Sequence, residues 1–123
     1  MITIDYKDKR PIYEQIIERF QILILNGALE ADTKLPSVRA LAIELAINAN
    51  TIQRAYTELE RRGLIYSVVG RGNFVSSHKD VFKKQHETLL KNLREQILIC
   101  KQSGIQSEQI LDCVSEIFQE EHE

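Results

Sequence analysis

Apolar residues recur at helical spacing along three stretches in the first half of the chain. Ile12, Tyr13, Ile16, Ile17, Phe20 and Ile24 keep the period of an α-helix, with Pro11 suited to its first turn and Asn26-Gly27 to its end. Val38, Leu41, Ala42 and Leu45 form a second, shorter apolar face. It follows Leu35-Pro36-Ser37, where proline excludes helix and Ser37 supplies an N-cap. After a tight break at Ala46-Ile47-Asn48, with Asn48 as a cap, Ile52, Ala55, Tyr56 and Leu59 carry a third helix to Arg62-Gly63. The pattern then changes. Leu64 to Val69 and Asn73 to Ser76 are rich in β-formers and flank Gly70-Arg71-Gly72, which predicts strand, glycine turn, strand. Helical spacing returns at Phe82, His86, Leu90, Leu93, Ile97 and Cys100 and ends at Gly104. Ser107 caps a last helix bearing Ile110, Leu111, Val114, Ile117 and Phe118, and the acidic end from Gln119 to Glu123 is expected to fray.

This order predicts a mainly α fold with a small β-hairpin (α+β), followed by two more helices. At 123 residues the chain holds one core plus a helical appendage, not two independent domains. With 43% hydrophobic and 28% charged residues it has the composition of a globular protein. Met1 to Asp5 lacks the basic-then-apolar pattern of a signal peptide and no apolar run reaches membrane-spanning length, so a cytoplasmic protein with no membrane partner is expected. Cys100 and Cys113 form no CxxC pair and read as two small core hydrophobes. His78, His86 and His122 are too scattered for a catalytic or metal constellation, so neither an enzyme activity nor a cofactor is expected.

Charge sharpens this picture. The total of −2 argues against a chain that coats nucleic acid indiscriminately, but the acidity is concentrated at the end. Residues 1–78 hold ten Lys and Arg against nine Asp and Glu, whereas residues 79–123 hold six against nine. Between Lys34 and Gly72 the balance is six basic to three acidic, a local excess able to supply phosphate contacts.

Two short helices joined by a tight turn, the second opening in small polar residues, make a helix-turn-helix. The buried set of the third helix leaves Asn50, Thr51, Gln53, Arg54 and Thr57 on its leading or outer side. There Asn and Gln suit adenine, Arg suits guanine or phosphate, and Thr suits phosphate or a thymine methyl. Asn48 serves equally well as a cap or a DNA contact. Ser37 and Arg39 open the second helix, where a free helix N-terminus and a guanidinium can engage phosphate or a base edge. Arg71 between two glycines, with Gly72 letting the backbone approach closely, suits a wing entering a minor groove. Tyr56 reads mainly as core, with its hydroxyl in reach of a phosphate. Arg61 and Arg62, a basic pair at a helix C-terminus, read as partners of the helix dipole and not as site residues.

The segments Leu35 to Ala42 (LPSVRALA), Asn48 to Tyr56 (NANTIQRAY), Leu59-Glu60 and Gly70 to Val75 (GRGNFV) resemble the GntR-family signature in order and spacing, over roughly residues 10–76. The resemblance implies a winged helix-turn-helix over residues 1–77 that binds double-stranded DNA. Matched motif to motif, it implies DNA contacts from Arg39, Asn48, Asn50, Thr51, Gln53, Arg54, Arg71 and Gly72, with Ser37 and Tyr56 as phosphate contacts. The short tail, residues 78–123, is similar to that of the YtrA-like subgroup, which implies helices serving dimerisation and no roomy effector cavity; the identity of any effector stays open. The sequence departs from the family pattern at Ala46, where Gly is common, at Ala49, often Pro, and at Asn73, often Thr.

The tail carries more apolar surface than a helix pair buries by itself. Phe82, Leu89, Leu90, Leu93, Ile97, Ile110, Val114, Ile117 and Phe118 are therefore expected at a homodimer interface. The expected function is a dimeric repressor on a palindromic operator, which could include its own operon with a transporter. Two other readings are a winged helix that binds protein and not DNA, and the DNA-binding part of a longer PLP-dependent fusion.

Overall fold

The computed structural model describes residues 2–120; the acidic end expected to fray lies partly outside the described residues. Its elements run α1 (Ile12–Leu25), α2 (Val38–Leu45), α3 (Ala49–Arg61), β1 (Ile65–Val68), β2 (Gly72–Val75), α4 (Lys79–Gln102) and α5 (Ser107–Glu120). The chain divides into two compact units, Met1–Lys84 and Gln85–Glu123. No helix among the described residues is long and apolar enough to cross a membrane.

In the first unit the apolar periods close on one core. Ile16, Ile17, Phe20 and Ile24 of α1 meet Leu41 of α2 and Ile52, Ala55, Tyr56 and Leu59 of α3, with Leu35, Leu64, Ile65 and Val75 sealing the hairpin side. Phe20 and Tyr56 pack edge to face, their ring centroids 5.8 Å apart. The stretch before α1 is held as well. Gln15 is buried, and its side chain accepts from the Asp5 amide at 3.0 Å and donates to the Asp5 carbonyl at 3.1 Å, which anchors Ile2 and Ile4 on the core. A buried glutamine whose amide meets one backbone unit twice loses little by leaving water.

The caps form where local chemistry places them. Ser37 Oγ accepts from the Ala40 amide at 3.0 Å, and Asn48 Oδ1 accepts from the Asn50 amide at 2.8 Å. Between them Ala46 ends α2 in the left-handed conformation, φ 55° and ψ 46°, and the Ile47 amide returns to the Ala42 carbonyl at 3.0 Å. The turn thus keeps the geometry of a glycine C-cap with an alanine in it.

The hairpin pairs Ile65 with Val75 and Val68 with Gly72, so Val69, Gly70 and Arg71 form its tip. A third extended segment, not anticipated from the sequence, lies along β2. Asp32 N donates to Val75 O, Val75 N to Thr33 O and Leu35 N to Asn73 O, all within 2.8–2.9 Å. This pairing buries Leu35 and delivers the chain to the Ser37 cap. The first unit also runs past the expected boundary at residue 77. Val81 sits where a Cβ on Gly63 would come within 3.0 Å of it, and Phe82 packs against the core. Gly63 (φ +78°) therefore serves both the end of α3 and the seat of Val81.

In the second unit no residue of α4 or α5 is buried. Leu90 is 65% exposed and Leu111 63%, and Leu93, Ile97, Val114, Ile117 and Phe118 are also exposed. The cysteines correct one expectation, since Cys113 is exposed and Cys100 half-buried; both are free thiols on helices outside the core.

Alanine at a left-handed position carries a steric cost that glycine avoids, partly offset by glycine's greater unfolded-state freedom. Ala46→Gly is therefore expected to raise unfolding free energy by roughly 0.5–1 kcal/mol and Ala46→Val to lower it, as read from urea denaturation.

Candidate nucleic-acid interface

The core dictates which face of α3 is free. With Ile52, Ala55, Tyr56 and Leu59 turned inward, Asn50, Gln53, Arg54 and Thr57 stand exposed, and Thr51 is half-buried in the first turn. Gln53 Nε2 donates to Thr57 Oγ1 at 3.2 Å, linking two consecutive turns of this face. Asn48 spends its side-chain oxygen on the cap, and Ser37 does the same at α2. Arg39, exposed in the first turn of α2, has no side-chain hydrogen bond or ion pair among the described residues, and neither has the Arg71 guanidinium at the hairpin tip.

Arg54 takes a different course from Arg39. Its guanidinium carbon lies 3.7 Å from the centroid of the Tyr13 ring, so the side chain lies back from α3 against α1. Tyr13 was expected only as a core position. Nothing in the spacing of α1 marks it as the support of a cation on another helix.

Tyr56 requires a correction. Its side chain is 1% exposed and its hydroxyl donates to the Pro36 carbonyl at 2.7 Å. A hydroxyl whose single proton is already given away cannot donate to a phosphate. Burial also pushes its ionisation far above the ordinary phenol range, with Glu44 adding to the effect. Tyr56 instead ties α3 to the residue that precedes the α2 cap.

Gly72 has φ +115°, and a Cβ there would meet Lys34 Cε at 3.2 Å. The Lys34 stem therefore runs across the wing glycine, so that a second cation joins Arg71 on the wing. Sequence reasoning counted Lys34 in the basic excess without placing it. On the outer side of the hairpin Tyr66 and Phe74 stack at 5.5 Å, and Tyr66 donates to Asp32 at 2.8 Å, stiffening the wing.

Three other arginines, Arg10, Arg61 and Arg62, are paired with acids. Glu58 accepts from Arg61 Nε at 2.8 Å and from Arg62 Nε at 3.0 Å, and Arg62 also donates to Gln21 at 3.0 Å. Hydrogen bonds from Arg61 and then Arg62 hold the Glu58 carboxyl down at about 2, against the opposing effect of its partial burial. Arg10 is paired with Asp8 and Glu18. Among the described residues no group of three or more His, Cys, Asp or Glu is arranged to hold a metal ion.

Two outcomes test these assignments. Tyr56→Phe leaves the carbonyl of half-buried Pro36 without its donor and is expected to cost about 1 kcal/mol in unfolding free energy, while the DNA affinity of the folded protein stays unchanged in a binding titration. Because the Glu58 pKa is depressed on folding, its contribution is complete above the ordinary value of 4.5 and is lost as pH falls toward about 2. Acid unfolding monitored by circular dichroism should show that loss, and Glu58→Gln should remove it.

Comparison with known proteins agrees with this geometry. Residues 12–75 match the bacterial regulatory proteins of the gntR family. The HTH-type transcriptional repressor YtrA of Bacillus subtilis is 39% identical over 119 residues, covering 95% of this chain and 92% of that one. A GntR family transcriptional regulator from Listeria monocytogenes superposes with a TM-score of 0.77 at 38% identity, over 92% of this chain and 98% of the other. The DNA-binding domain of AraR, solved in complex with operator ORE1, superposes with a TM-score of 0.53 at 30% identity, over 62% of this chain and 93% of that one. With a helix-turn-helix, a hairpin wing and a short helical tail matched along nearly their whole length, the chain belongs to the GntR family of transcriptional regulators, in its YtrA-like form.

Proposed function

We propose that the protein is a homodimeric repressor that inserts the first turns of α3, Asn48 to Arg54, into the major groove of a palindromic operator and the Arg71 wing tip into the flanking minor groove. The observation that carries this reading is the set of exposed hydrogen-bonding side chains on the helix-turn-helix and the hairpin tip. Asn50 and Gln53 are exposed on α3, and Arg39 and Arg71 have no ion pair among the described residues while Arg10, Arg61 and Arg62 are paired with acids. The AraR domain bound to its operator supports the same use of the fold. Arg39 reaches phosphate or a base edge beside the α2 N-terminus, and Thr51 and Gly72 bring backbone close to the strand. Lys34 adds a phosphate contact at the wing.

Dimerisation is supported by the apolar faces of α4 and α5, whose large side chains stay exposed in the single chain. A second copy is the economical cover, because two-fold symmetry then presents two α3 helices to two half-sites. In this arrangement Leu89, Leu90, Leu93, Ile97, Ile110, Val114, Ile117 and Phe118 lie in the interface, whereas Phe82 contributes chiefly to the first unit's core. Repression follows from occlusion of a promoter, which could be that of the protein's own operon with a transporter.

The test is fluorescence anisotropy with the duplex upstream of the protein's own gene and with an unrelated duplex. Asn50→Ala and Gln53→Ala are each expected to reduce the preference for the operator by about 1–3 kcal/mol, and Arg71→Ala to weaken binding by a similar amount. Leu93→Asp is expected to give a monomer in sedimentation equilibrium with intact far-ultraviolet dichroism and weakened operator binding. Equal affinity for both duplexes in every variant, or a monomeric wild type, would remove this reading.

A further inference from the structure

The outer flank of α3 and the facing side of α1 enclose an open cleft of about 810 Å³, lined by Tyr13, Asn50, Gln53 and Thr57 and by the carboxylates Glu14, Glu18 and Glu58 among others. Three arginines reach it, Arg10, Arg54 and Arg62. Arg10 is held by Asp8 and Glu18, and Arg62 by Glu58 and Gln21. Glu58, one turn on from Arg54, is the acid that would neutralise it on an isolated helix. Its oxygens are occupied by Arg61 and Arg62, so Arg54 keeps its charge and its donors. The guanidinium carbon lies 3.7 Å from the centroid of the Tyr13 ring, which holds the side chain against α1.

We propose that this cleft binds a phosphate of the DNA backbone, with Arg54 as the anion contact and Tyr13 as the residue that positions it. The proposal rests on the DNA-binding reading above and changes one part of it: Arg54 grips the strand bordering the groove, while base reading falls to Asn50 and Gln53. Three features carry it. A planar fork of donors matches two phosphate oxygens. The side chain lies toward α1, on the flank of the helix and not along its front. Asn50 and Thr57 line the same cleft as neutral polar groups able to share the anion. An arginine held in advance loses little freedom on binding, so the ring contributes although it touches no DNA.

Anisotropy titrations of the full chain over a sodium chloride series, on the operator and on an unrelated duplex, test this. Arg54→Ala is expected to weaken both duplexes by the same factor, roughly tenfold, and to reduce the slope of log K against log salt by about 1. Tyr13→Leu should reproduce part of that loss on both duplexes, Tyr13→Phe should bind like the wild type, and the Tyr13→Leu/Arg54→Ala double variant should be no weaker than Arg54→Ala alone. Thermal unfolding of each variant separates a folding defect from a binding one. Losses that multiply in the double variant would remove the positioning role, and a loss confined to the operator would make Arg54 a base reader. A wild type with no salt-dependent binding to either duplex would instead overturn the DNA-binding reading, and this proposal with it.

Discussion

The structure depends on the burial of one face of α3. Ile52, Ala55, Tyr56 and Leu59 are all enclosed, and burying a large side chain of this kind stabilises by roughly 1.5–3 kcal/mol. Rotating the helix by one position would expose that set, at a cost no surface contact returns. The outward aim of Asn50 and Gln53 is thus a by-product of core packing. Tyr56 extends the constraint: its ring meets Phe20 of α1 and its hydroxyl reaches the Pro36 carbonyl, so α1, α3 and the entry to α2 are fixed together. Ser37 and Arg39 acquire their position relative to α3 through that link.

Ion pairing then sorts the cations. Surface pairs such as those of Glu58 contribute little to stability individually. Their consequence here is one of availability, since Arg10, Arg61 and Arg62 are neutralised while Arg39, Arg54, Arg71 and Lys34 keep their charge. A chain with a formal charge of −2 can in this way present a positive field from one unit. The order of carboxylates along α1 and α3 matters to function as much as the order of arginines.

The tail follows a different logic. Its helices have the apolar stripes of packed elements, yet apart from Phe82, which packs on the first unit's core, their large apolar side chains stay largely exposed among the described residues. Exposed apolar surface of this extent marks an interaction face. An open groove lined by Glu87, Leu90, Lys91, Leu93, Arg94 and Ile97 runs along α4 among these exposed side chains.

The five helices, the hairpin, both caps and the exposed face of α3 were legible in the sequence, because each depends on residues within a few positions of one another. Hydrophobic period marked the elements, and Ser37 and Asn48 cap amides only three and two residues ahead. The GntR-type motif marks Arg39, Asn50, Gln53 and Arg71 as candidates, and all four are exposed, Gln53 with a link to Thr57. Tertiary structure decided what depends on partners distant in the chain. The third extended segment at Thr33 to Leu35 exists only because β2 offers it a hydrogen-bonding edge, and Gln15 is buried because Asp5 satisfies its amide. Phe82 joins the first unit because the core reaches it. Tyr56 gives its hydroxyl proton to Pro36, and Tyr13 carries the Arg54 guanidinium on its ring. A periodicity states that a side chain faces inward or outward; what it meets there is settled only when separate elements pack, because burial is shared between them.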